Sequence, residues 1–505
     1  MSRPARALMV QGTSSWAGKS LIATALCRHF ARQGVRVAPF KAQNMSNNAR
    51  VVAGGEIGVA QYLQALAAGV EPDVRMNPVL VKPEGMTASQ VVLRGVADQR
   101  IGALPWRQRA PHLRPAVEES LASLREEHEL LVIEGAGSPA EINLADCDLA
   151  NLGAARAAEA AVLLVADIDR GGAFAHLYGT WALLEPSDRE RIAGFVLNKF
   201  RGDPELLAPA PRRLRELTGV PVLGVVPWLE HGLPDEDGAA PAPNLPAPEA
   251  PAVAVLRYPF ASNLDELKLL EQIATVRWAR RPAELEGAEL VVLPGSKHVA
   301  ADLAWLRERG LAEPLLARAA ASGRVLGICG GMQMLGEALS DVAGAEIRGL
   351  GLLPLRTTYA EEKQVRRAEL SFAPSLDGAW GALAGRSFGG YEIRHGVTAP
   401  TESPVRLLPA IRAQGTPTEA VSGNRGWAAG AVLGISAHGL LEDAEVLDAL
   451  FGARPARSLD AALDELADGV MANLDEAAIE ALAQAPAPPA SRPGRTRRAG
   501  PRASA

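Results

Sequence analysis

A chain of 505 residues exceeds the roughly 250–300 residues that one hydrophobic core usually serves, so two or more domains are expected. Hydrophobic residues make up 48% and charged residues 22%, the balance of an ordinary globular protein. A net charge of −6 argues against nucleic acid as a partner of the whole chain. No apolar run reaches the roughly 18–20 residues that span a bilayer, and the first residues, MSRPARALMVQG, lack a signal-peptide apolar region. The three cysteines, Cys27, Cys147 and Cys329, are too few and too scattered for a disulfide framework or a zinc cluster. A reducing, cytoplasmic setting is the expectation.

The first half alternates short apolar strands with helix-sized intervals. Strands are predicted over 7–10, 35–39, 130–133, 161–166, 192–197 and 222–226, the pattern of a parallel sheet covered on both faces. Between the first strand and its helix lies GTSSWAGKS at 12–20, in the strand–loop–helix setting of a phosphate-cradling loop. Backbone N–H groups from Ser14 through Gly18 to Ser20 can converge on phosphate oxygens, Lys19 can reach the β/γ-phosphates, and the Ser20 hydroxyl suits Mg²⁺. Gly12 stands one residue early, and Thr13 takes the place of the usual first glycine; a plain Gly/Ser turn is the competing reading. The variant resembles dethiobiotin synthetase and its relatives.

Other polar residues follow strands, where an open α/β sheet places its ligands. Lys41, Asn44 and Ser46 lie in KAQNMS after the second strand and are assigned to substrate binding, Lys41 to a carboxylate. Glu134 ends the apolar LLVIE and is a candidate Mg²⁺ ligand. Asp167, Asp169 and Arg170 follow the next strand, as second-line candidates for metal and phosphate, and Asn198 after GFVL suits an adenine edge.

The Pro/Ala-rich stretch 234–251 reads as a linker. A second α/β pattern follows, with strands predicted over 253–256, 290–293, 325–328 and 432–435. RVLGICGGMQMLG carries Cys329 in the elbow pattern glycine–x–nucleophile–x–glycine between strand and helix. A helix N-terminus lowers a thiol's pKa. The N–H of Gly330, with a second donor from Gly295 in Pro294-Gly295-Ser296, would form an oxyanion hole. The nucleophile needs a base, and His438 in GISAHGLLE is the candidate, with His395 the rival. Two residues past His438, where an acid would complete a triad, stands Leu440, and Glu442 is given no role. Residues 448–483 are expected to form a helical extension, and 484–505 a disordered tail.

A cysteine elbow followed by a late histidine before glycine resembles triad-type glutamine amidotransferases. With both halves read, the chain resembles the cobyric acid synthase family of cobalamin-pathway amidotransferases from end to end, except in the tail. GTSSWAGKS, APFKAQNMS, VIEGAGSPAEINL, LLVADIDRGG, LNKFRGD, LPGSKH, GICGGMQMLG and GGYEI carry the likeness. The resemblance implies an α/β protein with an ATP-binding, dethiobiotin-synthetase-like domain at 1–233 and a glutamine amidotransferase domain at 252–447. It also implies amidation of four carboxylates (b, d, e and g) of adenosylcobyrinic acid a,c-diamide, with ATP, Mg²⁺ and glutamine. A corrinoid is the expected partner, with no nucleic acid and no membrane, and oligomerisation is left open. The alternatives are cobyrinic acid a,c-diamide synthase and, more remotely, a partition-type ATPase switch. Trp16, Met332, Ser436 and the segment SNLDELKLL depart from the family's pattern.

Overall fold

The computed structural model describes residues 4–84, 88–234, 250–340, 344–401, 408–414 and 424–484. Most of the stretch read as a linker, and the tail beyond Gln484, lie outside the described residues. Packing divides the chain into two compact units. One joins Met1–Ala42, Val117–Leu229 and Leu466–Ala505, and the other joins Gln43–Ala116 with Glu230–Glu465. This grouping differs from the linear one read from the sequence. The segment 43–116 packs with the second half of the chain, and the end of the expected helical extension packs with the first.

In the first unit six parallel strands stand in the order Val222–Pro227, Ile192–Phe200, Ala161–Asp167, Arg6–Gly12, Leu130–Glu134, Val37–Phe40. Each overlaps a predicted strand; five are extended by a residue or more, and Val37–Phe40 begins two residues later than predicted. These apolar runs are buried on both sides, as a parallel sheet covered by helices requires. The helix Lys19–Arg32 buries Ile22, Leu26 and Phe30, which a spacing of four places on one face. Arg6–Gly12 lies in the interior of the sheet, so the connections leave it in both directions. The crevice this opens at the strands' carboxyl ends is where such folds bind ligands.

The second unit has a parallel core of Thr275–Ala279, Ala252–Leu256, Leu290–Leu293, Arg324–Ile328 and Val432–Ile435. The sheet continues through antiparallel strands that periodicity did not reveal, chiefly the long pair Leu355–Phe372 and Ser387–Pro400. The segment 43–116 adds a small sheet of Gln43–Met45, Val79–Pro83, Ser89–Leu93 and Val96–Ala97, and a hairpin of Ala49–Val52 with Gly55–Gly58. Among the described residues no helix is long and apolar enough to cross a membrane.

Candidate active site

The phosphate loop is folded around its own side chains. Gly18 has φ 97°, and a Cβ added there would fall 1.9 Å from Asn198 Nδ2, so glycine is required. Asn198 donates to the carbonyl of Ala17 at 3.0 Å. One of its two amide N–H groups is thus bonded to the loop's backbone; the sequence reading assigns this side chain to an adenine edge. Thr13 N–H bonds the carbonyl of Val165 at 2.9 Å, fixing the loop's start to the neighbouring strand. Lys19 Nζ donates to the carbonyls of Ser14 at 3.0 Å and Gly137 at 3.1 Å.

Glu134 gathers two of the other predicted residues of this unit. Its Oε1 accepts from Ser20 Oγ at 2.8 Å and from Lys41 Nζ at 2.8 Å. The carboxylate is wholly buried, so it needs these partners. A hydroxyl and a carboxylate oxygen side by side at the mouth of a phosphate loop fit a hard divalent cation. Asp167 meets Lys199 at 3.0 Å and Arg170 at 3.5 Å, while Asp169 meets Arg201 at 3.4 Å. Trp16 stands exposed at φ 67° with its carbonyl held by Lys199 Nζ at 2.6 Å, so the indole is accommodated outside the fold. Asn44 and Ser46 are buried in the second unit, where Asn44 Nδ2 donates to Gln61 Oε1 at 3.1 Å and Ser46 Oγ accepts from Asn48 N–H at 3.0 Å.

In the second unit the elbow is strained as the nucleophile pattern demands. Cys329 has φ 51° and ψ −108°, a conformation costing about 1–3 kcal/mol. A Cβ on Gly331 would lie 1.9 Å from the carbonyl oxygen of Leu293, which explains the small residue there. Gly330 opens the helix Gly330–Leu335, whose first N–H groups have no carbonyl within the helix to bond. A Cβ on Gly330 would lie 2.7 Å from Ser296 N, and one on Gly295 2.8 Å from His438 Cε1. Elbow, Pro-Gly-Ser turn and histidine are therefore in mutual contact. The turn is braced by Asp302, which accepts from Ser296 Oγ at 2.6 Å and Phe260 N–H at 3.0 Å. Its burial lifts its pKa to about 6.

His438 is 2% exposed. Its Nδ1 lies 2.9 Å from Glu266 Oε1, and Glu266 Oε2 accepts from Gly439 N–H at 3.0 Å. Burial pulls the imidazole's pKa down, but the Glu266 carboxylate and then the Cys329 sulfur raise it to about 10. The acid of the pair thus comes from the turn Leu264–Leu267, far upstream of Cys329, and the sequence reading missed it. The available signal was two adjacent acids, Asp265 and Glu266, inside an apolar run whose Leu264, Leu267 and Leu270 are all buried. His395 is not part of this group. It faces Lys363 across the strand pair, and burial followed by Lys297 and Lys363 lowers its pKa. Cys27 is buried, and that burial, then Glu134, pushes its thiol up, so it stays an unreactive thiol.

Residues from the segment 43–116 support the histidine. Tyr391 stacks on the His438 ring at 5.3 Å and exchanges backbone hydrogen bonds with it. The Arg50 guanidinium lies 4.9 Å over the Tyr391 ring, donates to Glu442 Oε2 at 2.8 Å and pairs with Asp265. Asn263 N–H donates to Asn48 Oδ1 at 2.8 Å, and Asn263 Nδ2 to Tyr391 Oη at 3.1 Å. Glu442, given no role from sequence, thus belongs to the ion cluster behind the histidine.

Residues 8–234 match the model of the CobQ/CobB/MinD/ParA nucleotide binding domain, and residues 252–446 that of the CobB/CobQ-like glutamine amidotransferase domain. Curated proteins similar to this chain along its length include the cobyric acid synthase of Paracidovorax citrulli, 57% identical over 484 residues (92% of this chain, 96% of the relative). Those of Variovorax paradoxus and Methylibium petroleiphilum are each 53% identical. The first match covers 94% of this chain and 99% of the relative, the second 95% and 97%.

Proposed function

This chain belongs to the cobyric acid synthase family, and from that premise we propose that it amidates the b, d, e and g carboxylates of adenosylcobyrinic acid a,c-diamide. ATP activates each carboxylate, and glutamine supplies the nitrogen. The observation that carries the reading is the Cys329–His438–Glu266 group on a strained elbow, combined in one chain with the Lys19 loop.

His438, held by Glu266, is the base that takes the proton of the Cys329 thiol. The thiolate attacks the side-chain amide carbon of glutamine, and the developing oxyanion is met by the N–H groups of Gly330 and Gly295. His438 gives its proton to the departing nitrogen, and ammonia leaves. It then takes a proton from the water that hydrolyses the thioester, releasing glutamate. At the phosphate loop, Lys19 exchanges its carbonyl partners for β/γ-phosphate oxygens. Lys41, Asn44 and Ser46 are assigned to the corrinoid, with Lys41 holding a carboxylate. Ser20 and Glu134 are the oxygen donors that would hold Mg²⁺, whose bound charge would offset that of the phosphates. The three free cysteines support a reducing, cytoplasmic setting.

The test is replacement of Cys329 by Ala. Glutamine-driven amidation of the corrinoid, followed by mass spectrometry, should vanish while ammonia-driven amidation persists. Persistence of both activities would exclude the thiol role. Loss of both in a folded variant would exclude the division of labour.

A further inference from the structure

A backbone N–H stabilises an oxyanion only if its direction is fixed before the reaction. The turn Pro294-Gly295-Ser296 has a glycine at its centre, which by itself leaves the neighbouring peptides free to rotate. The turn must therefore be held from outside.

The part that follows the glycine is tied down along its length. Ala261–Ser262 pairs antiparallel with Gly295–Ser296, and Lys297 N–H donates to the Phe260 carbonyl at 2.9 Å. The Ser296 hydroxyl donates to Asp302, and His298 N–H donates to Ser296 Oγ at 3.1 Å. None of these bonds reaches the carbonyl that precedes the glycine.

That carbonyl is held by Tyr258, whose hydroxyl donates to the Pro294 oxygen. The oxygen belongs to the same peptide as the Gly295 N–H. The peptide is trans and planar, so its C=O and N–H point in opposite directions. Holding the oxygen therefore sets the line of the N–H. The Pro294 oxygen would also lie 2.8 Å from a Cβ on Gly331. The tyrosine thus grips the turn where it packs on the helix Gly330–Leu335.

Tyr258 is buried, and a phenol that deep needs a partner for its hydroxyl. Burial, followed by the charges of Asp302, Cys329 and Glu266, raises its pKa well above the ordinary value, so the hydroxyl keeps its proton and remains a donor. These three are the turn's brace, the nucleophile and the acid behind His438, so the phenol sits amid the catalytic group.

We infer that Tyr258 is a positioning residue for glutamine hydrolysis: its hydroxyl locks the Pro294–Gly295 peptide in the orientation that the oxyanion requires. It acts through the turn, not on the sulfur. The assignment rests on the thiol chemistry proposed for Cys329.

The test compares Tyr258→Phe with the unaltered full chain in two reactions of the same sulfur. Glutamine hydrolysis passes through an oxyanion, whereas alkylation by iodoacetamide displaces iodide and forms none. In Tyr258→Phe, kcat for glutamate release should fall by about tenfold, with KM for glutamine little changed. The rate of alkylation at Cys329, followed by peptide mass spectrometry, should stay as in the unaltered chain, and circular dichroism checks folding. The assignment is overturned if kcat stays within about twofold, if KM rises in place of the fall in kcat, or if alkylation slows as much as hydrolysis, which would place the effect on the thiol or the fold. Cys329→Ala is assayed alongside. Glutamine hydrolysis that survives in Cys329→Ala would remove the thiol chemistry itself, and the role of Tyr258 with it; full activity in Tyr258→Phe beside an inactive Cys329→Ala would remove the role of Tyr258 alone.

Discussion

Replacing Glu266 by Gln removes one charge and little else. The amide oxygen still accepts from Gly439 N–H or His438 Nδ1–H, so the imidazole keeps its position while the imidazolium loses its counter-ion. Two opposite charges about 3 Å apart interact by roughly 5 kcal/mol at an effective dielectric constant near 20. The rise of the His438 pKa from 6.5 to about 10, at about 1.4 kcal/mol per unit, gives a similar ceiling of about 5 kcal/mol, which includes the share due to Cys329. Allowing for that share, glutamine hydrolysis should fall in kcat by about 10³-fold, with KM for glutamine little changed. Glutamate release measures this, and the pH dependence of Cys329 alkylation by iodoacetamide separates it from misfolding. The variant's alkylation at neutral pH should drop, because an imidazole without its counter-ion is a weaker base for the thiol. Stability gives the sign independently. A histidine with a raised folded pKa contributes fully below about 6.5, and that contribution is lost as pH rises through about 10. The variant's deficit in urea unfolding should therefore be large at pH 6 and shrink towards pH 10. A kcat within tenfold of the unaltered chain, or a deficit independent of pH, would refute the role of Glu266.

Arg50→Gln leaves Asp265 and Glu442 without their cation and should cost about 3–5 kcal/mol in denaturant unfolding. It should also lower glutaminase kcat more than KM, with partial rescue by Arg50→Lys. Glu56 is buried between Lys82 and Lys363. Burial raises its pKa, but the two lysines bring it to about 2. Its stabilisation is present above about 4.3 and is lost as pH falls through about 2. Glu56→Gln should therefore destabilise by about 3 kcal/mol at pH 7, and the difference should narrow in urea melts as pH approaches 2. Gly331→Ala forces the elbow away from the Leu293 carbonyl and should abolish glutaminase activity while leaving ammonia-driven amidation measurable. Ser20→Ala should raise the Mg²⁺ concentration at half-maximal ATP-dependent activity and leave glutamine hydrolysis alone.

Chemistry carried by local pattern was legible in the sequence. Parallel strands buried on both faces have to be apolar, so ten strands could be read from composition runs alone. A phosphate loop and a cysteine elbow each need small residues at fixed spacing around one reactive side chain, so Lys19, Ser20 and Cys329 stood out. The antiparallel strands 355–372 and 387–400 did not. They interleave charged residues such as Arg366, Glu392 and Arg394, and the buried Glu392 finds one of its partners, Arg366, on the facing strand.

The acid behind His438 was decided by tertiary structure. Glu266 lies 172 residues from the histidine it holds, and no spacing rule links them. Arg50 is likewise remote in sequence from Asp265 and Glu442, and its segment packs with the second unit although it precedes most strands of the first. Local sequence fixes backbone shape and the identity of the reactive atom. Burial, charge pairing and the pKa that poises that atom come from residues brought together only when the chain closes on itself.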